Sequence, residues 1–213
     1  MKTEDLVTML ATGAGAAESN AAARRHATAL GWGAFGATLL LAIRLGVRPD
    51  IADAALLPMF WVKVAFAGSL AVASLFVAMR ISLPGAPLAR LPWALASPVL
   101  AMWVLAGIVL ARAEPGAWPA LLFGRTWTSC PLLIAMLSLP VFVAALWAMK
   151  GLAPTRLRLA GAAAGLLAGA TGALVYCLHC PESDAPFLGL WYLLGILIPT
   201  ALGALLGARL LRW

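Results

Sequence analysis

Residues 157–178 read LRLAGAAAGLLAGATGALVYCL. Beyond Arg158 the run stays apolar or small as far as Leu178, long enough to cross a hydrocarbon core about 30 Å thick as a helix. A helix is the only open-chain solution in lipid, because every backbone polar group must be paired within its own segment. Gly161, Gly165 and Gly169 recur at every fourth position, a stripe of small residues that lets helix backbones approach closely in a bilayer. Five more segments of comparable length lie outward from this one, at about 27–43, 57–79, 92–111, 128–150 and 186–208. Gly203 and Gly207 repeat the small-residue spacing on the last, in a chain where Ala and Gly are abundant everywhere. The loops between segments are short and rich in Pro and Gly, as at Ser82-Leu83-Pro84-Gly85 and Arg112-Ala113-Glu114-Pro115-Gly116.

Composition agrees. The 213 residues are 63% hydrophobic and only 11% charged, with a mean hydropathy of +0.97, far outside the range of soluble domains. The expected fold is all-α: a polytopic membrane protein built as a bundle of six transmembrane helices. Its parts are a short soluble segment, 1–25, and a transmembrane domain, 26–213. The net charge of +7 is not gathered into a basic run, so direct nucleic-acid binding is not expected. Most cations flank apolar segments, where they set orientation. The first 23 residues hold no apolar run of signal-peptide length, so the N-terminus is expected to be retained.

Six crossings put both termini on one side. That side carries Lys2, Arg24, Arg25, Arg80, Arg90, Lys150, Arg156, Arg158, Arg209 and Arg212, against Arg44, Arg48, Arg112 and Arg125 on the other. The excess of cations predicts cytoplasmic termini. In the N-terminal segment Thr3 can cap a helix whose first turn holds Glu4 and Asp5. Leu6, Met9 and Leu10 then share one face, and Gly13 and Gly15 close the helix. Alone in water so short a helix is marginal; it orders against a partner or the membrane surface, or stays frayed.

This orientation places all three cysteines at the outer surface. Cys130 opens the fourth segment, and Tyr176-Cys177-Leu178-His179-Cys180-Pro181-Glu182-Ser183-Asp184 closes the fifth. The two segments turn around Pro154, so Cys130 and Cys177 reach nearly equal heights, with Cys180 about 4.5 Å further along a helix. Three readings stay open. Cys177 and Cys180 have the spacing of a thiol oxidoreductase. Cys130, Cys177, His179 and Cys180 offer metal ligands, with Glu182 and Asp184 nearby. Buried cysteines are also small hydrophobes, an account that suits Cys177 better than Cys180.

Lys63 lies within the second segment, about a turn and a half from its outer end. Intramembrane charge points to function by default, and snorkelling of the ammonium to the outer interface is the cheaper account. Most of the nine tryptophans sit near segment ends as interfacial anchors, whereas Trp103 lies mid-segment and is expected to pack. There is no Gly-rich phosphate loop, Ser-His-Asp set or intramembrane carboxylate pair, so hydrolytic and pumping chemistry has no support.

Several elements recur together in a known order: Lys2-Thr3-Glu4-Asp5-Leu6, Arg48-Pro49-Asp50 followed by Trp61-x-Lys63, and Leu83-Pro84-Gly85. After these come Trp127 with Cys130, Ala153-Pro154 leading to Ala160-Gly161, Tyr176 with Cys180 and Glu182, Trp191-Tyr192, and Leu211-Arg212-Trp213. In this arrangement the chain resembles, over nearly all its length, the six-pass membrane anti-sigma factors of the NrsF type (negative regulator of sigma F).

The resemblance implies a regulator and not an enzyme. Such a protein holds an extracytoplasmic-function sigma factor at the bacterial inner membrane and releases it when envelope redox or metal stress reaches periplasmic cysteines. The family's two characteristic cysteines map onto Cys130 and Cys180, and Cys177 looks like an addition. No cofactor is implied beyond a transient heavy-metal ion at the periplasmic cysteines, with His179 a further ligand. Leu6, Met9 and Leu10 become the expected sigma contact. Pro181 is expected to end segment five and expose the Cys180 sulfur, while Glu182 and Asp184 keep the thiols protonated. The alternative is an envelope thiol-disulfide oxidoreductase using Cys177 and Cys180. Enzymes of that kind relay electrons through a second cysteine pair, which three cysteines cannot supply.

Overall fold

The structure is a computed structural model that describes residues 3–13, 21–83, 91–152 and 154–212. Lys2, Gly15, the Pro84-Gly85 turn, Arg90, Ala153 and Trp213 lie outside the described residues, as does the side chain of Leu10. The secondary structure described is helical throughout. A short helix α1 (Thr3–Gly13) precedes α2 (Ala21–Arg44), a one-turn α3 (Ile51–Ala55), α4 (Pro58–Ile81) and α5 (Leu91–Arg112). A 3₁₀ turn at Pro115–Ala117 leads into α6 (Trp118–Phe123), α7 (Cys130–Lys150) and α8 (Leu157–Tyr176). The last crossing, Ala185–Leu210, is one column made of α9 (Ala185–Phe187), a π-helical turn (Leu188–Tyr192) and α10 (Leu193–Leu210).

Six helices are therefore long and apolar enough to span a membrane, as the sequence predicts. The first begins earlier than expected, at Ala21. The run Ala21-Ala22-Ala23 is strong helix former, so Arg24 and Arg25 ride on the helix instead of preceding it. The fifth ends sooner, at Tyr176, because Leu178 and His179 bond back to the carbonyls of Val175 and Tyr176 and tighten the last turn.

Helix α8 is the hub. Of its most apolar membrane-crossing window 78% is buried inside the protein, against 6% for α5, which stands at the periphery and is separated from α4 by an apolar groove of 580 Å³. α8 packs against α10, α7 and α4, and α2 leans on α7. The glycine stripes explain the tightest of these contacts. A Cβ added to Gly161 would strike the Gly203 carbonyl, one on Gly165 would strike that of Pro199, and one on Gly169 would come within 2.7 Å of the Ile196 oxygen. Reciprocally, a Cβ on Gly203 would strike the Gly161 carbonyl. The spacing on the last segment is therefore a packing surface and not an incident of composition. In lipid, where no hydrophobic force separates helix from tail, this backbone-to-backbone van der Waals contact is what drives association.

At one end of the bundle the chain returns between α2 and α3 through residues 45–50, and between α8 and α9 through 177–184. Gly46 has φ +75°, the left-handed conformation that ends α2, and its amide bonds the Leu41 carbonyl. The two loops are stitched together: the Arg48 amide donates to the Leu178 carbonyl at 3.0 Å.

Candidate functional site

The stitched loops cover the three thiols. Cys130 is the first residue of α7, followed by Pro131, whose fixed φ suits a helix start and whose missing N–H costs nothing there. Its amide donates to the Thr126 carbonyl at 2.8 Å. Cys177 and Cys180 follow the end of α8, and the Cys180 amide bonds the Tyr176 carbonyl at 3.0 Å. No disulfide joins them, and all three are buried, Cys130 and Cys180 completely. The Cys130 and Cys180 side chains lie beside each other, close enough for each thiol to act on the other. Cys177 turns away, with its thiol donating to the Ala173 carbonyl at 3.3 Å.

Lys63 closes the site from α4. Its side chain is fully buried, and its ammonium donates to the carbonyls of Cys180 (2.9 Å) and Glu182 (2.8 Å), the residues on either side of Pro181. Arg48 adds a third donor, reaching the Cys180 carbonyl at 3.2 Å. Arg48 is itself fixed by a bidentate pair with Asp50 at 2.8 and 2.6 Å, which holds the Asp50 carboxyl down at about 2 and raises the guanidinium further. Snorkelling is therefore not what Lys63 does. Residues 180–182 fold back over the membrane-embedded amine and supply the oxygens that solvent would have supplied. The same bonds overturn the expected exposure of Cys180: its side chain is buried beneath the cap, while Pro181 faces outward.

The acids behave differently from expectation. The Glu182 carboxylate accepts from the Arg125 amide (2.8 Å) and the Thr126 hydroxyl (3.4 Å), beside the start of α7. Gly124, with φ +52°, leaves the necessary room, since a Cβ there would lie 2.8 Å from a Glu182 carboxylate oxygen. Asp184 is exposed. The dominant influence on Cys180 is instead the hydrogen bond from Cys130, reinforced by the charge of Lys63; together they outweigh burial and lower the thiol to about 6. Cys177 lacks the thiol donor, and burial pushes it up to about 12. One chain segment thus carries an acidified thiol and an inert one.

Two tyrosines complete the pocket. Tyr176 and Tyr192 are buried with ring centroids 5.8 Å apart. The Tyr192 hydroxyl, at the end of the π-helical turn, finds no oxygen or nitrogen partner and faces the sulfurs of Cys177 and Cys180. The π turn frees the Gly189 carbonyl, which accepts from the indole of Trp103 at 3.0 Å; this, besides packing, is the role of the one mid-segment tryptophan. Trp127, Phe123 and Trp191 cluster outside it at 5.2–6.1 Å between centroids.

His179 does not join the sulfurs. Its Nδ1 lies 3.0 Å from the Gly46 carbonyl, part of the loop stitching. Among the described residues no three His, Cys, Asp or Glu side chains converge in a metal-holding group, so the set Cys130, Cys177, His179 and Cys180 is not assembled. Sequence reasoning named Arg48 and Tyr192 only as parts of matching motifs and Gly124 not at all; Arg48 reaches the Cys180 carbonyl and Gly124 lies against Glu182, both distant in the chain. Leu6 and Met9, on α1, are exposed apolar side chains.

Six helices long and apolar enough to cross a membrane, packed around α8, define a class: polytopic membrane proteins. Comparison with known proteins narrows it. The chain belongs to the family described as Negative regulator of sigma F (NrsF), whose family model matches residues 10–213. It is 63% identical over 213 residues to the probable anti-sigma-F factor NrsF of Azospira oryzae, and 42% identical over 215 residues to the anti-sigma-F factor NrsF of Caulobacter vibrioides, each alignment covering the whole of both chains. No solved structure matches. The relatives are named as regulators and not as enzymes, so the oxidoreductase alternative is set aside.

Proposed function

We propose that this protein is a membrane-embedded anti-sigma factor that sequesters a sigma factor of the extracytoplasmic-function type, and releases it when the Cys130–Cys180 pair is oxidised or takes a thiophilic metal. Full-length similarity to anti-sigma-F factors supports the partner. The observation that carries the sensing is the meeting of Cys130 and Cys180 from two different helices beneath a cap held by Lys63 and Arg48.

Oxidation would convert the two thiols to one disulfide, giving up two protons and two electrons to the oxidant. A soft metal ion would displace the same two protons. Either event changes the packing of α7 against the end of α8, where the two cysteines lie. Both termini face the cytoplasm in this reading, with α1 offering Leu6 and Met9 to the sigma factor, and the thiols face the periplasm at the inner membrane.

Two experiments test it. Reporter fusions at residue 86 should read cytoplasmic and those at 118 and 183 periplasmic; the opposite pattern removes the sensor from the envelope side. Cys130→Ser and Cys180→Ser should each silence the response while the sigma factor still co-purifies, and Cys177→Ser should do little. If all three variants respond normally, the thiols are packing residues.

A further inference from the structure

At the end of the bundle opposite the thiols, α2 and α7 enclose a second groove of 390 Å³, lined by Trp32, Gly33, Pro140, Val143, Ala144 and Trp147. Its floor is closed by backbone: a Cβ on Gly33 would lie 2.7 Å from the Val141 Cα, and one on Gly36 3.0 Å from the Pro140 Cβ. Its walls are the indoles of Trp32 and Trp147, 73% and 61% exposed on the outside of the bundle. Both helices are membrane-spanning, so the groove opens on the lipid and not on water.

The end of the groove carries a cation. The Arg25 guanidinium lies over the Trp147 ring at 4.9 Å and against Gly151, where a Cβ would strike it. Its Nε is buried and has no hydrogen-bond partner among the described residues. Arg24 stands beside it in sequence, and Lys150 lies one turn beyond Trp147. An apolar slot of this length, ending in a guanidinium stacked on an indole, matches one chemistry: an acyl chain attached to a negatively charged phosphate headgroup.

We propose that this groove is a binding site for an anionic phospholipid, with the acyl chain between Trp32 and Trp147 and the phosphate on Arg25. The site is independent of the thiols and of the sigma factor. It fixes the depth of α2, the helix that follows the N-terminal segment.

The test uses the full-length protein purified in neutral detergent and titrated with dioleoyl phosphatidylglycerol or dioleoyl phosphatidylcholine, with bound lipid counted by native mass spectrometry. The expected result is a preference for phosphatidylglycerol of about fivefold, the worth of roughly one cation beside an anionic headgroup. Arg25→Gln should erase the preference, Arg25→Lys should keep most of it, and Arg158→Gln, at the same end but off the groove, should leave it unchanged. Ala144→Phe should fill the slot and lower occupancy by phosphatidylglycerol; it also serves if Arg25→Gln fails to fold. Equal affinity for the two lipids in the unaltered protein, or a preference that survives both Arg25→Gln and Ala144→Phe, overturns the proposal. So does displacement by millimolar inorganic phosphate, which would make this a free-anion site, or loss of sigma-factor binding from Arg25→Gln with the lipid preference intact, which would make it a protein contact.

Discussion

His26 Nε2 and Ser82 Oγ lie 3.1 Å apart, both buried, joining the first turns of α2 to the residue that caps the end of α4. Ser82 also donates to the Ala78 carbonyl at 2.8 Å, so the histidine is anchored to α4 itself. Lys63 sits near the other end of the same helix, about 28 Å away at the helical rise. One rigid element is thus bonded at one end to the cap over the thiols and at the other to the helix that follows α1.

Lys63→Met should loosen the cap. The change leaves the Cys180 and Glu182 carbonyls without their shared donor, at about 1–3 kcal/mol for each oxygen that water does not rescue. Maleimide labelling of Cys130 and Cys180 in the folded protein should rise by about tenfold or more, with a lower thermal midpoint. Unchanged labelling would mean that Arg48 alone holds the cap.

His26→Ala should uncouple the two ends. If α4 carries the signal, thiol modification will proceed as before and the sigma factor will bind as before, but oxidant will no longer release it. Coupling between sites requires an element that both sites bias, and a normal release in this variant would remove α4 from that role.

Thiolate absorbance at 240 nm, taken as the difference from Cys180→Ser, should rise through a midpoint of about pH 6. Cys130→Ala removes the hydrogen-bond donor, and Lys63→Met removes the cation, so each should move the midpoint upward. Tyr192→Phe should also raise it, with little loss of stability, because the hydroxyl it removes has no oxygen or nitrogen partner. A midpoint unmoved by all three would mean that the pocket does not tune the thiol.

Gly161→Leu should cost about 1–3 kcal/mol or abolish folding, since its side chain must enter the Gly203 backbone. Gly107→Ala on α5, where nothing lies within 4 Å, should be neutral or stabilising through helix propensity. Thermal denaturation in detergent separates the two.

Leu6→Asp with Met9→Asp should abolish sigma-factor co-purification while the elution profile of the bundle stays unchanged. Burying two carboxylates in an apolar interface costs more than a helix of this length can offset. Retained binding would move the contact to the loops near Arg80 or Lys150–Arg158.

The six crossings were legible because lipid enforces a length and a composition that each segment states by itself, and the glycine stripe on α8 because its spacing is local. The α10 stripe needed its partner: Gly203 and Gly207 acquire meaning only opposite Gly161. Lys63 was misread for a related reason. An amine near a helix end has two ways to be solvated, by water or by backbone oxygen, and only the return of residues 180–182 decides between them. Cys180 was expected to be exposed because Pro181 ends the helix; the proline does face outward, but the carbonyls on either side of it are pulled in. The acid at Glu182 was legible as a charge and not as the acceptor of the Arg125 amide in the turn before α7, which depends on the positive φ of Gly124 in a separate loop.

The contact between α8 and α10 is made of glycine Cα atoms and carbonyls, with few side chains to change rotamer. A joint of that kind has no second packing available at small cost; it behaves as a stator. Whatever reaches the thiols must then be taken up by the helices arranged around this fixed pair, α4 and α7, as rotors. Spin labels placed on α8 and α10 should hold one separation through the whole signalling cycle, while a label on α4 moves.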